Sequence, residues 1–155
     1  VTLLPKALVR LHARARRDRG TAVIEFVVLG VLMTLPVFYL IVALARLQAG
    51  TYAVAAASRE AGRTFVTAST EDEAAGRAQA SARMAFQDQG FGGRGSVRVS
   101  CDASPCLTRD ATVRTYAEVE VRLPLIPDLL SGVLPTSITV SADHAEKVDR
   151  FGAKR

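Results

Sequence analysis

Few residues in this chain have types and spacings that could do chemistry. Its two histidines stand far apart, His12 among arginines and His144 in the stretch SADHAEK. Neither has a neighbouring ligand or nucleophile at the spacing that zinc or acyl-transfer chemistry requires. There is no Gly-x-Ser-x-Gly elbow and no His-Glu-x-x-His pair. Glu71, Asp72 and Glu73 form an acidic run at an expected helix start, where carboxylates interact favourably with the helix dipole. His144 is expected to be a solvated surface residue near the end of a strand. The pattern therefore predicts no catalytic residue, no metal site, no cofactor and no small-molecule substrate. Two features remain: the pair Cys101 and Cys106, and a carboxylate, Glu25, inside an apolar run.

Glu25 is the only charge among residues 21 to 45, TAVIEFVVLGVLMTLPVFYLIVALA. A helix of that length extends about 37 Å, enough to cross a hydrocarbon core of about 30 Å with some tilt. The run is therefore predicted to be one transmembrane helix. A carboxylate in such a segment is costly unless it lies near the interface, is protonated or is paired, which makes it a functional residue by default. The structural alternative is that Glu25, one and a half turns into the run, reaches the cytoplasmic headgroups.

The formal charge of +5 is not spread over the chain. Residues 1 to 20 carry Lys6, Arg10, Arg14, Arg16, Arg17 and Arg19 against Asp18 alone, and the remainder balances 14 basic with 14 acidic side chains. All of the excess lies beside the apolar run, where cationic residues hold a segment on the cytoplasmic side. A nucleic-acid surface would spread its cations over a folded face, so no nucleic-acid partner is expected. The chain after the helix is expected outside the cytoplasm, where a disulfide is permitted. Asp102 to Pro105 is suitable turn chemistry for joining Cys101 to Cys106. The alternatives are two reduced, packed thiols, or a zinc site that would have to recruit the distant His144.

The elements that position these groups follow from periodicity. From Arg46 the helical pattern continues but becomes amphipathic, with Leu47, Ala49, Tyr52, Ala53, Ala56, Ala57, Ala61, Phe65 and Val66 mixed with Arg46, Gln48, Ser58, Arg59, Glu60 and Arg63. Pro36 removes a backbone donor and is expected to kink the helix about a turn upstream. Thr70 followed by Glu73 has the form of a capping box, which predicts a second helix from about Glu71 to Gln89, stopped at Gly90. After the glycine-rich loop Gly90 to Gly95 the period changes to two. Val97 to Cys101, Val113 to Leu123 and Ile138 to Asp143 read as three half-buried strands whose apolar faces need the helices as cover. The connection LPLIPDLLSGVLP, Leu123 to Pro135, is apolar for a loop; packing under the sheet, touching the outer leaflet and meeting a partner are all open to it. The expected fold is α+β: a long N-terminal transmembrane helix continuing into an amphipathic helix, a second helix, then a small antiparallel sheet of about three strands. The expected organisation is a basic cytoplasmic leader (1–20), a transmembrane helix (21–45), an extracytoplasmic helical region (46–89) and a small β-rich extracytoplasmic domain (90–155). The leader itself reads either as a short helix on the membrane surface or as a disordered segment.

Gly20-Thr21-Ala22-Val23-Ile24-Glu25-Phe26 resembles the class III prepilin-peptidase site of type IV pilin-like proteins, in which cleavage follows the glycine and glutamate is the fifth residue of the mature chain. With the basic leader, one membrane helix, the Ala/Arg segment AAASREAGR at Ala55 to Arg63 and a small β-rich tail, the chain resembles the TadE-like family of tight-adherence (Tad, or Flp) pilus assembly proteins. Thr21 departs from the phenylalanine that begins many major pilins, and Pro36 is not where those pilins commonly place their helix-breaking proline. The resemblance therefore implies a minor pilin or pseudopilin of a type IVc pilus. It implies cleavage between Gly20 and Thr21 by a prepilin peptidase, with Arg14, Arg16, Arg17 and Arg19 as leader charges and Glu25 beside Phe26 as the assembly glutamate. The implied partners are the peptidase, other Tad pilus subunits, the inner-membrane assembly platform and membrane lipid. The implied location is the bacterial cell membrane, single-pass, N-terminus cytoplasmic, C-terminal domain extracytoplasmic, with entry into a pilus.

Two other readings use the same residues. In one, the leader is never removed and the chain is a permanently anchored single-pass protein with an extracytoplasmic binding domain. In the other, Ala43-Leu44-Ala45 serves as a signal peptidase site and the product is a secreted soluble protein beginning at Arg46.

Overall fold

The computed structural model describes residues 4–124 and 136–150, with side chains from Thr21 onward. Helix α1 runs Leu4–Val66 and helix α2 Glu71–Asp88; strands β1 (Gly95–Cys101), β2 (Thr112–Arg122) and β3 (Ser137–Lys147) follow. The strands form one antiparallel sheet in the order β1-β2-β3. The fold is the expected α+β arrangement. The apolar connection 125–135 and the side chains of Arg14, Arg16, Arg17 and Arg19 lie outside the described residues.

The chain divides into two compact units, Val1–Ile41 and Val42–Arg155. In the first, the backbone is helical from Leu4 and continues without interruption through Gly20 and Pro36. From Thr21 to Leu35 every side chain is exposed, and the apolar ones are bare: Ile24 is 65% and Phe26 78% accessible. The polar Thr34 returns its hydroxyl to the Gly30 carbonyl at 2.7 Å, so it is satisfied within the helix. Residues Thr21–Val66 contain a stretch long and apolar enough to cross a membrane.

In the second unit the rest of α1 lies on the sheet. Its buried face, Gly50, Ala53, Val54, Ala57, Ser58, Ala61, Gly62 and Phe65, recurs at helical spacing and consists mostly of small residues. Small side chains let the helix axis approach the strands closely. A Cβ at Gly50 would overlap Cγ2 of Val121, and one at Gly62 would lie 3.2 Å from Cγ of Glu146 and 3.3 Å from Oγ1 of Thr115. From the sheet, Val113, Thr115, Ala117, Val119 and Val121 face the helices, as the period of two predicts. Buried Thr115 donates its hydroxyl to the Ser58 carbonyl at 2.7 Å, pinning β2 to α1 by a polar contact inside the core. Thr115→Val is expected to lower the unfolding free energy by about 1–2 kcal/mol, because it leaves the buried Ser58 carbonyl one partner short; denaturant unfolding of the detergent-solubilised chain measures it.

Helix α2 returns alongside α1 after the turn at Thr67 to Thr70. It buries Ala74, Ala78, Ala82, Ala85 and Phe86, touches α1 through the Thr64 and Ser81 hydroxyls 3.0 Å apart, and touches β1 where Gln79 Nε2 donates to the Val97 carbonyl. Its cap has the expected Thr70 Oγ1, which accepts from Glu73 N–H at 3.3 Å. The return arm differs from a regular capping box: the Glu73 carboxylate accepts from Ser69 N–H at 3.1 Å, one residue before the cap. The helix ends at Asp88, and Gly90 takes φ +77°, the left-handed geometry that suits glycine at a helix end.

Three sequence boundaries are corrected. Gly95 belongs to β1 rather than to the loop, paired with Val119, and the Phe86 ring occupies the space where its Cβ would stand, 2.5 Å from three ring carbons. Strand β2 stops at Arg122, one residue before Leu123. Strand β3 runs four residues beyond Asp143, to Lys147. Its inward positions there are His144 and Glu146, which end the apolar alternation in the sequence yet pair with β2 in register. His144 is thus a half-buried residue beneath Gly62, its Nε2 3.0 Å from Glu146 Oε1, rather than a solvated surface histidine. Gly62 leaves room that these two longer polar side chains fill.

Candidate functional site

The junction expected from the sequence lies within α1. Residues four apart on a helix share a face, separated by about 6 Å along the axis, so Thr21 and Glu25 stand one above the other. Helical side chains tilt toward the N-terminus, which aims the Glu25 carboxylate back at Thr21. Glu25 and Phe26 are both exposed, with Phe26 the most accessible of the large apolar residues in the run. The geometry presents one acid on a lipid-length apolar rod, in reach of whatever stands at the level of Thr21. The Gly20–Thr21 peptide lies inside continuous helix, so any protease acting there would have to unwind a turn first.

The second place where reactive residues meet is the far end of the sheet. Cys101, the last residue of β1, is joined to Cys106 by a disulfide with a Cα–Cα distance of 5.4 Å, within the usual range. The two sulfurs are therefore not zinc thiolates. Asp102 closes the bridge over to β2: its Oδ1 accepts from Thr112 N–H at 2.8 Å, and its own N–H donates to the Thr112 carbonyl. The sequence suggested Asp102 to Pro105 only as the turn that joins the two cysteines, which the disulfide bears out; the Asp102 pairing with Thr112 is additional.

Sequence reasoning missed how the acidic run at α2 is divided. Glu73 serves the cap, whereas Glu71 reaches across to accept from the backbone N–H of Cys106, so the disulfide loop is tied to the first turn of α2. Only the bare fact of carboxylates at a helix start was visible in the sequence; the loop they meet lies 35 residues away. Similarly, Arg150 Nε lies 2.9 Å from both carboxylate oxygens of Asp110, which holds the start of β2 to the end of β3.

The folded, unreduced protein is expected to resist thiol alkylation until a reductant is added, whereas ready labelling without one would remove the bridge. Cys101→Ser with Cys106→Ser should cost about 2 kcal/mol of stability, as expected for so short a loop.

No protein-family model, curated protein or solved structure matches this chain.

Proposed function

We propose that the chain is a minor pilin, or pseudopilin, of the TadE-like type, which takes part in assembling a Tad/Flp pilus after a prepilin peptidase cuts between Gly20 and Thr21. The observation that carries the reading is Glu25: a single carboxylate, exposed on an apolar helix, five residues after a glycine that ends a cationic leader. Cleavage removes six cationic side chains and creates an ammonium on Thr21. In a medium of low dielectric constant, that ammonium and a Glu25 carboxylate attract strongly. Pairing the amine of one subunit with Glu25 of its neighbour sets their axial register, and loss of the leader releases the helix from the cytoplasmic face. The extracytoplasmic unit, with α1 laid on a three-stranded sheet, then serves as the surface that meets other pilus subunits and the inner-membrane platform. The role is assembly, not catalysis.

The test is the amino-terminal sequence and intact mass of the membrane-extracted protein, with and without its cognate prepilin peptidase. The expected result is a peptidase-dependent start at Thr21. An unprocessed chain beside active peptidase would turn the reading to the permanently anchored binding protein, and a start at Arg46 to the secreted one.

A further inference from the structure

The two edges of the sheet differ in what happens to their backbone groups. In an antiparallel pair every second residue exchanges bonds with the neighbouring strand, and the residues between turn their N–H and C=O the other way. Leu123 N–H donates to the Thr136 carbonyl and Val148 N–H to the Ala111 carbonyl, both at 2.9 Å. Between these two bonds the β2–β3 register is unbroken, from Arg122 opposite Ser137 to Thr112 opposite Lys147. Ile138, Val140, Ala142, His144 and Glu146 therefore bond to β2. The backbone groups of Ser137, Thr139, Ser141, Asp143, Ala145 and Lys147 point outward along the edge.

On β1 the Asp102 N–H that donates to the Thr112 carbonyl sets the phase, and Gly95, Val97, Val99 and Cys101 point outward. That edge is managed: α2 lies against the strand, and Gln79 Nε2 donates to the outward Val97 carbonyl at 3.3 Å. Along β3, no described residue takes any of the outward backbone groups. Nor is β3 blunted as free edges usually are: its 11 residues contain no proline and no bulge, and Ser137 to Ala142 carry no charge.

We propose that the free edge of β3 is a docking site for an extended strand of another protein, added antiparallel to it. The row of donors and acceptors fixes the kind of occupant, since only another extended backbone matches its spacing. Side chains set the register. Ile138, 38% accessible, and the half-buried Val140 and Ala142 leave the inner face of β3 partly covered, so the added strand is apolar opposite them. Farther along, β3 carries Asp143, Glu146 and Lys147. On β2 behind it, Arg122, Glu120, Glu118 and Arg114 stand opposite Ser137, Thr139, Ser141 and Ala145, two charges of each sign. The unbalanced charge is thus that of β3 itself, and the matching strand places cations opposite Asp143 and Glu146 and an acid opposite Lys147. Only the fold of Val42–Arg155 enters this argument, so it stands apart from the pilus reading.

The probe is the synthetic peptide Glu-Lys-Thr-Val-Arg-Val-Thr-Val-Thr-Val-Thr, whose residues lie opposite Lys147 back to Ser137. Residue-resolved amide exchange is recorded on the full detergent-solubilised chain. Alone, the Thr139, Ser141 and Asp143 amides are expected to exchange at least about a hundredfold faster than those of Val140 and Ala142, and saturating peptide should slow them at least about tenfold. N-methylation of the peptide's threonines removes donors that face β3 and should abolish the protection, whereas N-methylation of its valines removes donors on the far side and should leave it. Thr139→Pro deletes an outward N–H that the fold does not use, so the melting temperature should hold while the protection is lost. Protection that survives both Thr139→Pro and threonine methylation would place the peptide elsewhere and overturn the site. Slow exchange at Thr139 and Ser141 in the lone chain at every concentration would mean that the chain covers its own edge, and slow exchange only at high concentration would make a second copy the occupant; either overturns the proposal. So would free edge amides that the peptide leaves unchanged.

Discussion

Glu25→Ala is expected to leave the protein in the membrane fraction, processed to a Thr21 start, and to reduce pilus assembly by at least about tenfold. Removing a carboxylate from an apolar run makes insertion more favourable, so a defect in anchoring has no physical source. On the proposed pairing, assembly loses the only acid of residues 21 to 45 that could meet an ammonium on Thr21. A tenfold loss corresponds to about 1.4 kcal/mol per contact, a modest demand on opposite charges at short range in a low-dielectric setting. Glu25→Gln separates charge from shape: it keeps the side-chain length and a hydrogen-bonding oxygen, and it should fail nearly as badly. Glu25→Asp, shorter by one methylene, should retain partial assembly. Normal piliation by the alanine variant would remove the pairing role and leave Glu25 as a residue that only reaches the headgroups.

Legibility in this sequence follows the range of the interactions involved. The exposed apolar run, the start of α2 at Glu71 after Thr70 and the inward face of β2 all depend on neighbours within a few residues, and each is where periodicity and capping chemistry place it. The disulfide was legible for the same reason, since a five-residue separation keeps the partners local. The rest depends on contacts between distant segments. Gly95 looks like one more loop glycine until the Phe86 ring is found over it. His144 and Glu146 look like the polar end of β3, because only the missing side chain of Gly62 on a different element makes room for them on the inner face. Glu71 reads as a dipole partner, and its bond to the Cys106 N–H depends on how the disulfide loop folds back. At the junction, the sequence carries the spacing of Gly20, Thr21 and Glu25, and the helix adds that Thr21 and Glu25 share a face.

Gly50→Leu is expected to destabilise the folded unit by about 3 kcal/mol or more, although leucine is the better helix former. Glycine within a helix costs about 1 kcal/mol relative to alanine, so local propensity alone predicts a gain. Against it stands Val121, fully buried, its Cγ2 already in the space that a Cβ at residue 50 needs, with Cζ of Phe91 3.8 Å away. Valine is stiff about χ1 and has no flexible end to withdraw. The new side chain must therefore lift α1 from β2, at an overpacking cost of about 1–3 kcal/mol before the separated core is counted. The separated core includes Val54 and Ala57 on the helix and Val119 on the sheet, all buried. For a unit of this size each kcal/mol moves the midpoint by roughly 3–6 °C, so the melting temperature of the detergent-solubilised chain should fall by about 10 °C or more. The smaller change Gly50→Ala isolates the cause. Alone it should be neutral to mildly destabilising, whereas with Val121→Ala, which removes the offending methyls, the clash disappears and the helix gains its propensity term. A double variant less stable than Val121→Ala alone would mean that the helix, not the contact, requires glycine at this position. A double variant more stable than Val121→Ala places the requirement at the surface where α1 meets β2.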